Sequence, residues 1–212
     1  MTIAINQKPV FTKNGVFKTG ATIALANTAK DGTGTVVTVF DPQQTLTSLT
    51  STGTTATATT TTPHGYLNGE EILMTGANEA GYNGIKTITM TGAKTFTYTV
   101  TAGLSTPATG TIYADPINGH RITKLVFQPF GSTTNATAAR AWLNNGQTNA
   151  TAANNTYLDD VTLAISTLSE VASMAGTEMQ LDIIVPPFHK INITLGTAVT
   201  AGFAVYAVVG GY

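Results

Sequence analysis

The side chains in this sequence with the most chemical potential are three histidines, two adjacent acid pairs, a Gly-x-Gly stretch and a single tryptophan. His64, His120 and His189 lie far apart. None stands two or four residues from another histidine or a carboxylate, the spacing that would bring metal ligands together. No metal site is expected. His64, between Pro63 and Gly65, reads as a turn residue with its ring packed over a strand end, and His120 and His189 read the same way.

Glu70-Glu71 and Asp159-Asp160 are the acid pairs. General acid–base work needs two carboxylates converging across a cleft with separated pKa values. Neighbours on a strand point to opposite faces, so loop charges are the expectation. Half of a cation site made with Asn and backbone carbonyls is the alternative, but no Asp-x-Asp-x-Asp-Gly loop accompanies it. Gly32-Thr33-Gly34 lacks the lysine and helix of a phosphate loop, and Gly-x-Ser-x-Gly is absent. Neither an enzyme nor a cofactor is expected. Alternation places Arg140, Trp142 and Asn144 on one strand face. An amphipathic Trp beside an Arg suits a sugar or a subunit contact, which makes these three the candidate interface.

The elements that would carry these residues are strands. Period-two alternation marks Val161–Ile165, Leu181–Val185, Ile191–Leu195 and Phe203–Val209, with Asn144-Asn145-Gly146, Pro186-Pro187 and Gly210-Gly211 as breaks. Residues 168–179 form the one stretch with any helical pattern, and their Ser, Gly and Thr oppose it. The apolar ending from Val205 to Tyr212 is expected inside a sheet, because an open edge of that kind would be sticky. Pro129 and the Pro186-Pro187 pair belong at strand ends.

Composition agrees. Charged residues make up 10% of the chain, ten basic against eleven acidic for a net charge of −1, so no field draws it onto nucleic acid. The surface must be Thr, Asn, Ser, Gln and backbone, which suits packing against other subunits as readily as water. Cysteine is absent, which removes disulfides and thiolate sites. No apolar run approaches a membrane helix, and Met1–Lys8 lacks the pattern of a signal peptide. Without export, the sequons at Asn135, Asn149, Asn154 and Asn192 read as chance in an Asn/Thr-rich chain.

Between Pro42 and Ala114 threonine dominates, and Glu71–Met74, Ile85–Met90 and Thr95–Val100 are strand-like pieces joined at Gly76, Gly84 and Gly92. Similar texture resumes on either side, in Gly34–Phe40 and His120–Phe127. The inference is a discontinuous β parent domain, residues 1–41 with 115–212, interrupted by an inserted Thr-rich β domain, 42–114, that projects outward. Insertions of this kind survive at exposed hairpin tips, where the chain ends are already close.

The outer portion resembles small β-rich structural proteins of tailed bacteriophages. The stretches that carry the likeness are Thr134–Gly146, with its Ala139-Arg140-Ala141-Trp142 run, then Ala153-Asn154-Asn155-Thr156, Lys190–Val199 and the ending Gly210-Gly211-Tyr212. The insert is similar to a module of phage tail and virion proteins through Thr61-Thr62-Pro63-His64-Gly65, Gly69-Glu70, Tyr82-Asn83-Gly84 and Thr95–Val100. The resemblance implies an all-β fold: a jelly-roll-like barrel or sandwich parent with an Ig-like or small-barrel insert. It further implies a capsid decoration (cement) subunit on the capsid exterior, made in the host bacterial cytoplasm. Its partners would be the major capsid protein and itself, as a homotrimer, with host-surface glycans as a further partner of the insert. A tail, fibre or baseplate component that contacts host glycans is the alternative.

Overall fold

The computed structural model describes residues 21–210. Met1–Lys8 and the closing Gly211 and Tyr212, read above for export and for edge burial, lie outside them. The described chain is all-β. It opens with β1 (Ala21–Ile23) and β2 (Val37–Phe40), and then makes β3 (Gln44–Thr52), β4 (Thr55–Thr60), β5 (Glu71–Ala77), β6 (Gly84–Gly92), β7 (Thr95–Thr99) and β8 (Gly110–Pro116). It continues as β9 (His120–Pro129), β10 (Thr137–Asn144), β11 (Asn155–Leu163), β12 (Thr177–Val185), β13 (Lys190–Leu195) and β14 (Phe203–Gly210). Two compact units result. One holds β1, β2 and β9 to β14; the other holds Pro42–Gly119 together with the short turn Pro186–Phe188.

In the first unit β1 pairs with β14, β2 with β13, β9 with β12 and β10 with β11, all antiparallel. First with last and inward from there is the pairing of one long hairpin. Rolling that hairpin up brings β14 beside β9 and β13 beside β10. The product is a pair of four-stranded sheets, β1-β14-β9-β12 and β11-β10-β13-β2, which is the jelly-roll winding. Alternation drives it: Ile191, Ile193 and Leu195 of β13 and Phe203, Val205 and Ala207 of β14 enter one core with Ile122, Leu125 and Phe127 of β9. β14 lies between β1 and β9, so its apolar run has no free edge. A bulge opposite Ala141 and Trp142 adds Leu158 to β11, and Leu158 packs against the core where strict alternation would turn Asp159 inward. Residues 168–179 form no helix; β12 starts within them, at Thr177.

The second unit is a closed barrel, β3-β4-β7-β6-β5-β8. Small Ala56 and Ala58 on β4 face inward with large Phe96 and Tyr98 on β7, and Tyr82 and Met74 fill the rest. The register sets Thr50, Thr57, Thr97 and Thr89 side by side on the outer wall, where a β-branched side chain favours the strand and its hydroxyl meets water. Closure removes every edge. It also forces one close approach: Gly76, at φ 85°, passes Thr111 so tightly that a Cβ would stand 2.0 Å from its carbonyl oxygen. Because β8 runs through Pro116, the barrel extends past residue 114.

Candidate functional site

β13 fixes which way β10 faces. Ala139, Ala141 and Leu143 oppose Leu195, Ile193 and Ile191 on the core side, which leaves Arg140, Trp142 and Asn144 on the outer face beside Thr194, Asn192 and Lys190. An outer face should be wet, yet Trp142 is 4% exposed and Asn144 is fully buried.

The cover is the chain between β1 and β2. Ala26 bridges to Leu195, and the Asn27 N–H donates to the Leu195 carbonyl at 2.7 Å. Asn27 then closes the loop with its own side chain: Nδ2 donates to Thr33 O at 2.7 Å and Thr35 O at 2.6 Å, and Oδ1 accepts the Ala29 N–H at 2.8 Å. At the tip Gly32, φ 80°, lies on the indole; a Cβ there would stand 3.0 Å from Trp142 Cδ2 and 2.6 Å from Asn155 Cβ. Glycine is required because the position is both left-handed and crowded. Beneath it Trp142 Nε1 donates to Thr194 Oγ1 at 3.0 Å, and the Tyr157 ring meets the indole edge-on at 5.5 Å.

Asparagines hold the neighbouring loop. Asn144 Nδ2 donates to Asn155 Oδ1 at 2.8 Å, and Asn149 Nδ2 reaches Gly34 O at 2.9 Å. The three candidate interface residues therefore share a face, as alternation requires, and the chain's own loop covers Trp142. Burial of the indole needs no second subunit. Arg140 alone keeps access to solvent.

Beside Arg140 a groove of about 550 Å3 opens, lined in part by Thr28, Lys30, Thr137, Arg140, Thr162 and Thr197. Gly196 forms part of its floor, and a Cβ there would stand 3.4 Å from Arg140 Nη1. Neither Arg140 nor Lys30 makes a hydrogen bond or ion pair among the described residues. The nearby acids are turned elsewhere or held off. Asp31 accepts Thr33 Oγ1–H at 2.6 Å and the Thr33 N–H at 3.1 Å, bonds that hold its carboxyl below the usual range. Asp160 faces Arg140 across the strand pair without pairing to it.

The other candidates lie apart from this groove. His64 sits in the barrel wall: Nδ1 accepts the Tyr66 N–H at 3.0 Å, Nε2 lies 3.1 Å from Gly92 O, and the ring packs edge-on against Phe96. His120 opens β9 with its ring 5.4 Å from that of Phe40. Glu70 Oε2 accepts the Leu67 N–H at 2.7 Å in a turn, while Glu71 begins β5. Asp159 and Asp160 lie within β11 and not in a loop, opposite Ala141 and Arg140 of β10. Among the described residues no three His, Asp or Glu side chains converge on a point that would hold a metal. The groove itself escaped sequence reasoning: Thr28, Arg140, Thr162 and Thr197 come from four separate stretches. The legible signal was Arg140, a cation on a strand with no acid two residues away.

Comparison with protein-family models, with curated proteins and with solved structures finds no match to this chain.

Proposed function

We propose that this chain is a non-enzymatic structural subunit of a tailed bacteriophage, a capsid decoration protein that binds the major capsid protein on the outside of the shell and assembles as a homotrimer. The observation that carries this reading is the jelly-roll winding with a closed barrel spliced between its second and third strands. Jelly rolls recur in viral shells and lectins, and a chain with two separate cores can give one to attachment and one to display. Fold alone does not fix function. The phage context comes from the resemblance of Thr134–Gly146 and Lys190–Val199 to virion proteins, and the near-neutral, hydroxyl-rich composition suits assembly. Shell binding would stabilise the expanded capsid by mass action on the assembled state.

Sedimentation equilibrium of the full chain at micromolar concentration tests the assembly half of this reading. A trimer is expected; a monomer throughout contradicts it. One observation favours the alternative of a tail, fibre or baseplate component, namely the cationic groove beside Arg140, whose concave, hydroxyl-bearing lining suits a glycan.

A further inference from the structure

We infer that the groove beside Arg140 binds an acidic saccharide, with the sugar carboxylate seated on Arg140 and Lys30 and its hydroxyls on Thr28, Thr162 and Thr197. This assignment does not depend on where in a virus particle the chain resides.

The first ground is the state of Arg140. It is half-buried on a sheet face and makes no hydrogen bond or ion pair among the described residues. A guanidinium has five donors in a planar fork, and taking it partly out of water without an acceptor is unfavourable until an oxyanion supplies the complementary pair. Lys30 on the covering loop lines the same groove and is likewise unpaired. Neither nearby acid forms an ion pair with Arg140 or Lys30 among the described residues: the Asp31 carboxylate accepts from Thr33, and Asp160 stands across the ladder from Arg140 without reaching it. Gly196 lies beside the guanidinium, where a Cβ would just touch Nη1.

The second ground is what surrounds the cations. The groove carries hydroxyls and alanines, with no large apolar side chain to anchor a peptide. Strand addition beside Arg140 is also blocked, because β10 is paired on both sides, by β11 and β13. Two cations in a chain of net charge −1 are too few to track a polynucleotide. A volume of about 550 Å3 holds a sugar ring or two. A carboxylate among hydroxyls is the chemistry that matches such a lining.

Titrating the full 15N-labelled chain with D-glucuronate, followed by two-dimensional NMR, tests this, with D-glucose, acetate and inorganic phosphate as parallel titrants. The expected result is saturable shifts of the Arg140 side-chain Nε–H and of the Thr28, Lys30 and Thr197 amides with glucuronate, and binding at least tenfold weaker for the other three. Arg140→Gln and Lys30→Gln should each weaken glucuronate tenfold or more. Lys30 is exposed, so its variant reports on the groove even if the strand variant is damaged. No saturable shift overturns the inference, as does a Lys30→Gln chain that binds like wild type. Acetate or phosphate matching glucuronate would reduce the groove to a bare anion site, and glucose matching it would remove the role of charge; either overturns the assignment.

Discussion

The indole Nε1–H of Trp142 donates to Thr194 Oγ1 at 3.0 Å, and the bond is made on the face of the sheet that points away from the sandwich core. A second buried layer therefore exists outside the jelly roll, built by the loop between β1 and β2. Because Trp142 is the chain's one tryptophan, its fluorescence reports on that layer.

Thr194→Val should cost about 1–3 kcal/mol, since it leaves a buried indole N–H without an acceptor while preserving shape. Urea unfolding followed by Trp142 emission measures it. An unchanged midpoint would mean that the bond does not hold the layer.

Gly32→Ala should open the cover. A left-handed non-glycine residue costs on the order of 1–3 kcal/mol, and its Cβ would collide with Asn155 and crowd Trp142. Iodide should quench the variant's indole more strongly than the wild type's. Equal quenching would show that another segment shields it.

Phe96→Ala should destabilise the barrel by about 3–5 kcal/mol, because Phe96 is fully buried there. Hydrogen exchange should accelerate in β4 and β7. Continued protection of those amides would contradict the assignment of Phe96 to the centre of that core.

Acid should weaken the barrel through Glu79. Its carboxylate accepts the Thr109 N–H and the Thr109 Oγ1–H, both at 2.8 Å, and these bonds hold its pKa below the usual glutamate value. A depressed folded pKa gives stability that is present above the unfolded value and lost as pH falls through the folded one. Between about pH 6 and about pH 3 the wild-type barrel should lose more stability than Glu79→Gln, which keeps an acceptor but does not titrate. Parallel acid limbs for the two chains would rule this out.

Strands were legible where alternation carries large apolar side chains: Ile191–Leu195 and Phe203–Val209 are strands that bury the core. The Val161–Ile165 run, by contrast, leaves its strand at Leu163, and Thr55–Thr60, whose buried apolar residues are only small alanines, gave no such signal. The Thr-rich stretch from Pro42 was legible as a separate piece because its composition changes. Its far boundary was not, since β8 carries barrel pairing beyond Ala114 and the Pro186–Phe188 turn joins that unit through contacts distant in sequence. The same blindness applies at the site. Alternation placed Arg140, Trp142 and Asn144 on one face, but nothing local to β10 says that Asn27 would close a loop over Trp142. Local pattern sets which way a side chain points, and tertiary contacts decide what covers it.

The most direct test of the account is immunogold electron microscopy of the virus with antibody raised against this chain. The account predicts gold distributed over the head. Gold confined to the tail, or no gold on the particle, would contradict it.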